Sequence, residues 1–383
     1  MFRHHCRVTR PFRIDVPDAV LDDLRRRLGA TRWPEPEPVD DWSQGVPLRY
    51  LQEVCEYWAN EYDWRAREAA LNRFEQFVTT IDGLDIHFIH RRSPSPAALP
   101  LVITHGWPGS VAEFAGVIDP LADPAAHGGD AADSFHVVCP ALPGFGFSGK
   151  PDVTGWGVEH IARAWCELME RLGYPRFAAQ GGDWGGHVTT MLGANHADRL
   201  VGIHLNMPIA RPTPDELADI ADDVEQDAVD ARSAYEREDS GYAKQQSTRP
   251  QTLGYGLTDS PAGQAAWILE KFARWMDCGG YPENVVSRDE LLDTVMIYWV
   301  TASATSSARI YWESFRKVAP GFVPVPTGVA AFPKEIVPAA PRWVRRRYNL
   351  VRWTDMPRGG HFAAWEQPQL FVDDVRAFFR DLR

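Results

Sequence analysis

Gly181-Gly182-Asp183-Trp184-Gly185-Gly186 constrains this chain more than any other stretch. Before it, Arg176-Phe177-Ala178-Ala179-Gln180 reads as a short buried strand; after it, His187 to Ala194 reads as a helix. A strand that turns straight into a helix holds one side chain up at the end of a sheet, and only small flanking residues tolerate such crowding. Serine there would point to ester hydrolysis. Aspartate points to attack on a saturated carbon, which leaves an alkyl ester that water can open at the carboxyl carbon. On the hexapeptide alone, an aspartate that merely caps the following helix is the alternative.

The surrounding pattern predicts an α/β fold with a mostly parallel, doubly wound sheet. Leu101-Val102-Ile103-Thr104, Phe135 to Cys139, Phe177-Ala178-Ala179 and Leu200 to Leu205 are short apolar runs, separated by amphipathic stretches such as Val158 to Leu172. Four segments follow. Residues 1–92 read as an N-terminal domain of helices (Pro17 to Leu28, then Leu48 to Phe74 with a break near Asp63) and an Asp82-Gly83 hairpin. Residues 93–207 form the first part of the core, 208–319 a helical lid, and 320–383 the rest of the core, with strands at 325–332 and 350–353 and a last helix at 370–382. With 383 residues, 44% of them hydrophobic, the chain can fill one large core.

Composition excludes several classes of function. A net charge of -12 argues against nucleic acid, and the runs Arg25-Arg26-Arg27 and Arg345-Arg346-Arg347 read as solvated helix faces. Cys6, Cys55, Cys139, Cys166 and Cys278 include no Cys-x-x-Cys pair, so neither a zinc site nor redox chemistry is expected. With no apolar leader and no run approaching about 18 apolar residues, a cytoplasmic protein without a membrane anchor is expected. Gly144-Phe145-Gly146-Phe147-Ser148-Gly149 matches a dinucleotide-binding pattern in form, but Lys150-Pro151 stands where the cofactor helix should begin; it reads as a loop near the site.

An elbow nucleophile needs an oxyanion hole after an early strand, and later an acid and a histidine. His105-Gly106-Trp107-Pro108-Gly109-Ser110 follows the 101–104 strand, and the Trp107 and Trp184 amides are the candidate oxyanion donors; Pro108 has no N–H. Arg358-Gly359-Gly360-His361 places His361 on a loop near the end of the chain. Topology favours Glu335, after the penultimate strand, as the acid, with Asp355 as competitor.

Together these motifs resemble the microsomal-type epoxide hydrolases of the α/β-hydrolase superfamily, over nearly the whole chain. Pro11-Phe12 and Trp33-Pro34 are similar to that family's N-terminal domain, and Gly359-Gly360-His361-Phe362-Ala363-Ala364 to its histidine motif. The resemblance implies epoxide hydrolysis to a vicinal diol, with Asp183 as nucleophile, His361 and Glu335 activating water, and two lid tyrosines acting on the epoxide oxygen. Tyr242, after Ser240-Gly241, and Tyr311, in Ala308-Arg309-Ile310-Tyr311-Trp312-Glu313, match their settings. It implies no cofactor and no metal, and a small epoxide as partner. Trp267, Trp275, Trp299 and Trp312 could line a site for an aryl group or simply pack the lid. Homo-oligomerisation stays open. A haloalkane dehalogenase-like hydrolase and a non-catalytic ligand receptor are the rival readings.

Overall fold

The computed structural model describes residues 9–317 and 321–383. Cys6, the rest of the N-terminal eight residues and the 319–320 segment boundary lie outside them. The strands are β1 (Arg10–Phe12), β2 (Gln76–Ile81), β3 (Leu84–Arg91), β4 (Leu99–Thr104), β5 (Phe135–Pro140), β6 (Phe177–Gly181), β7 (Leu200–Leu205), β8 (Val323–Ala331) and β9 (Tyr348–Asp355). They form one sheet in the order β1-β2-β3-β5-β4-β6-β7-β8-β9, antiparallel from β1 to β5 and parallel from β5 to β9.

Pleating sends alternate residues of β4 to opposite faces, and both faces are covered. Leu101 and Ile103 pack into a core with Val137, Phe371, Val375 and Phe379, whereas Val102 joins the larger core with Trp165, Met169, Val188 and Leu192. Because β5 and β6 flank β4 on opposite sides, the chain reverses its winding at β4. A crevice opens at the carboxyl ends of strands at such a switch point. The loops that begin at His105 and Gly182 both leave the sheet there.

Between β7 and β8 the described residues are helical, with helices including Gly241–Thr248, Pro261–Trp275, Arg288–Val300 and Ala304–Ser314. The N-terminal helices Asp18–Gly29, Leu48–Asn60 and Trp64–Leu71 lie against this lid. Asp293 shows how: it accepts hydrogen bonds from the Tyr62 hydroxyl at 2.8 Å and from Arg67 Nε at 2.9 Å, and burial raises its pKa. Tyr57 and Tyr50 donate likewise to Asp289 and Glu283. The N-terminal segment therefore braces the lid.

Two features depart from the sequence reading. The hairpin grouped with the N-terminal helices continues the central sheet through β3 and β5, and β1 adds an edge strand that three residues containing Pro11 did not signal. Residues 142–149 bend back on themselves, Gly144 N–H donating to the Gly149 carbonyl at 2.9 Å, and no helix begins before Val158, as expected of a loop. Among the described residues, no helix is long and apolar enough to cross a membrane.

Candidate active site

Asp183 stands at the junction of β6 and the helix Asp183–Asn195, with φ of 47°. A non-glycine residue at positive φ costs of order 1–3 kcal/mol and persists only where its surroundings impose it. Here they do. A Cβ at Gly185 would run into the Thr104 carbonyl oxygen, and one at Gly106 into the Asp183 carboxylate, so only glycine lets the elbow and the 105–110 loop approach this closely. The helix is capped by Gly182 with no side-chain hydrogen bond, and Asp183 is its first residue. Its carboxylate turns away from a capping role: Oδ1 accepts the Trp107 N–H at 2.8 Å, and Oδ2 lies 3.4 Å from His361 Nε2.

His361 is buried, and its Nδ1 meets Glu335 Oε1 at 2.7 Å. The same Oε1 accepts the Ile336 N–H at 2.7 Å, which fixes the carboxylate in the turn after β8. Burial would lower the His361 pKa, but the Glu335 charge, the nearby Asp183 carboxylate and the hydrogen bond to Glu335 outweigh it, holding the imidazole well above its ordinary value. His105 and His187, also near Asp183, are pushed down to about 4 by burial and stay neutral. Asp355 is exposed at the end of β9, where it accepts the Trp353 indole N–H at 2.8 Å, and it takes no part in this pair.

The lid brings both tyrosines over the carboxylate. Tyr242, on the helix Gly241–Thr248, stacks on Trp107 with ring centroids 4.9 Å apart; Tyr311, on Ala304–Ser314, meets Trp184 edge-on at 4.7 Å. Their rings lie 5.7 Å apart. Burial first, then neighbouring tyrosines and the Asp183 charge, holds both phenols well above their ordinary pKa, so both remain proton donors. Tyr311 Oη has no hydrogen-bond partner, whereas Tyr242 Oη is 2.9 Å from Tyr235 Oη. These groups and Asp183 border a pocket of about 100 Å³ whose other walls include Met207, Phe315 and Ile336, with Arg232 and Arg316 also on its lining.

Several neighbours carried no motif. Tyr235 sits on a π-helical turn (Tyr235–Asp239), a local widening common at functional sites. Trp275 supplies the carbonyl that accepts the His361 N–H at 2.9 Å, and its ring lies 5.1 Å from the imidazole. The other three tryptophans weighed as an aryl lining lie elsewhere: Trp267 donates to Gln246, Trp299 lies beneath Arg27, and Trp312 is exposed beneath Lys317. Glu366 accepts backbone N–H groups of Asp277, Gly360 and Phe362 at 2.7, 2.9 and 2.9 Å, clamping the loop on both sides of His361. Such pairings reach across the sequence and leave no local signature. Among the described residues, no group of His, Cys, Asp and Glu could hold a metal ion.

Comparison with known proteins agrees with this architecture. Residues 9–114 match the model of the epoxide hydrolase N terminus, and residues 100–237 that of the alpha/beta hydrolase fold. Epoxide hydrolase 1 of Sus scrofa is 38% identical over 400 residues, covering 96% of this chain and 88% of its own length. The chain belongs to the epoxide hydrolase family. Its activity is epoxide hydrolysis. A protein of Stigmatella aurantiaca is 54% identical over 375 residues, or 97% of this chain and 85% of that one. The solved epoxide hydrolase of Aspergillus niger superposes with a TM-score of 0.88 at 32% identity, covering 98% of this chain and 97% of its own. Family members act on small-molecule epoxides.

Proposed function

We propose that this chain opens an epoxide through a covalent ester on Asp183 and releases a vicinal diol. The observation that carries the reading is a single carboxylate that touches an amide donor, a charged His–Glu pair and a pocket with two protonated tyrosines. Asp183 Oδ2 attacks a ring carbon, the C–O bond breaks, and Tyr242 or Tyr311 protonates the departing oxygen. Oδ1, held by the Trp107 amide, becomes the ester carbonyl. The carboxylate charge is consumed in this step, so His361, no longer held protonated by it, gives up its Nε2 proton through solvent to the tyrosinate; Glu335 keeps the neutral ring oriented with Nδ1–H toward it. His361 Nε2 then takes a proton from water as the water oxygen adds to the Asp183 carboxyl carbon, and the Trp107 and Trp184 amides carry the oxyanion. Collapse expels the diol oxygen, which receives the proton from His361. The proton left on the Asp183 carboxyl returns to His361, which restores the charged pair, so the balance is epoxide plus water to diol.

The narrow, largely apolar pocket supports a small hydrophobic epoxide as substrate. One turnover in ¹⁸O-water with enzyme in excess tests the route: the first diol carries oxygen from the enzyme, and a peptide containing Asp183 gains the label. Solvent oxygen in that first diol would sink it. Aryl and alkyl epoxides assayed side by side by chiral chromatography test the substrate class; preference for charged or bulky epoxides would count against it.

A further inference from the structure

Two cavities meet at Asp183, the one residue that their linings share. One is the pocket of about 100 Å³ that holds Tyr235, Tyr242 and Tyr311 on its wall. The other, about 20 Å³, is bordered by Glu113, Gln180, Asn206 and His361 as well as Asp183. The tyrosines lie only on the first, and His361 only on the second. A space of that size accepts one water molecule, given two to four polar partners, and excludes an epoxide or a diol.

The partners are present. Gln180, buried on β6, donates its Nε2 to Asn206 Oδ1 at 3.0 Å, and its Oε1 is left without a partner. His361 Nε2 has no hydrogen bond either. Burial pushes the Glu113 carboxyl up to about 8, so at neutral pH it carries a proton to donate. No step of the mechanism above uses Glu113 or Gln180. In the ester, where His361 is neutral, a water here would donate one O–H to Gln180 Oε1 and the other to His361 Nε2 and accept the Glu113 O–H, leaving its second lone pair free for the Asp183 carboxyl carbon.

We propose that the smaller cavity is the site of the hydrolytic water, with Glu113 and Gln180 as its positioning residues, on the side of Asp183 away from the tyrosines. This rests on the Asp183 ester reading. Epoxide and water then reach one carboxylate through separate spaces, and the water is in place before the alkyl chain leaves. In the hydrolytic step the new C–O bond forms from this side, its proton passes to His361 and then to the diol oxygen, and the bond that breaks is the alkyl oxygen to Asp183 carboxyl bond.

The test separates the two half-reactions with styrene oxide, using stopped-flow single turnovers and intact-protein mass spectrometry. Glu113→Leu and Gln180→Met should form the ester at the wild-type rate and hydrolyse it about tenfold more slowly or worse, the loss of one hydrogen bond to the attacking water. Glu113→Gln, which keeps a neutral donor, should restore hydrolysis to within about threefold. Wild-type ester hydrolysis in both Glu113→Leu and Gln180→Met would overturn the water site, as would equal loss of alkylation and hydrolysis. If Glu113→Leu fails to fold, Gln180→Met decides alone. An ester that never forms in the wild-type protein overturns the Asp183 reading itself, which ester formation with unaltered hydrolysis in the variants would leave standing.

Discussion

Replacing Glu335 by Gln isolates the charge behind His361. Glu335 Oε1 accepts from both His361 Nδ1 and the Ile336 N–H, each at 2.7 Å, while Oε2 has no partner. A glutamine with its oxygen at the Oε1 position keeps both bonds and the orientation of the imidazole, and loses only the negative charge. Two charges about 4 Å apart at an effective dielectric of 20 interact by about 4 kcal/mol, and neighbouring charges shift pKa values by about 1–3 units, or roughly 1.4–4 kcal/mol. That stabilisation is felt most by the imidazolium formed as water loses its proton. Ester hydrolysis should therefore slow by about 10–10³, while alkylation, which needs no proton transfer at His361, stays within about threefold. The sign of the pH effect follows. Glu335 raises the His361 pKa, so its loss lowers that pKa, and the hydrolysis rate of the variant should level off at a lower pH than that of the wild type. Stopped-flow turnovers from pH 5 to 9 read both rates, and mass spectrometry should find the Asp183 ester accumulating. Hydrolysis at the wild-type rate, or an equal fall in both steps, would refute the reasoning.

Tyr311→Phe removes a hydroxyl that has no partner at rest, so the melting temperature should hold while alkylation slows by about 10²–10⁴; an unchanged alkylation rate would take Tyr311 out of the acid role. Gly185→Ala sets a methyl group against the Thr104 carbonyl and should cost at least about 1–3 kcal/mol by denaturant titration, with activity lost; a variant of normal stability and rate would contradict the tight elbow. Glu366→Ala leaves three backbone N–H groups around His361 without their acceptor, at about 1–3 kcal/mol for each that water does not reach, and thermal melts should show the loss. Tyr235→Phe tests the Tyr235–Tyr242 hydrogen bond: if it tunes the donor, alkylation changes and ester hydrolysis does not, as single turnovers would show.

Much of the fold was legible because local rules suffice for it. Alternating apolar runs and amphipathic helices predicted strands and helices close to those observed, as at 99–104, 135–140 and 158–171. The elbow was legible because its crowding demands glycines at particular places. Glu335 could be preferred over Asp355 from strand order, since a loop after one strand and a loop after the next emerge side by side at the same edge of a parallel sheet. The tyrosines were reached only through resemblance, for nothing in the chain around Tyr242 or Tyr311 distinguishes them from packing residues.

By itself, then, the sequence determined the parallel strands, the strand-to-helix turn that holds Asp183 and the places of Glu335 and His361 after the last two strands, because short-range sterics and chain order govern these. The tertiary structure alone decided which aromatic residues face the carboxylate, how the N-terminal helices brace the lid, and that Glu113, Gln180 and Asn206 meet behind Asp183. Burial and charge act through space. Residues separated by scores of positions share one electrostatic environment only once the sheet has brought their loops to the same edge, and spacing along the chain carries no record of it.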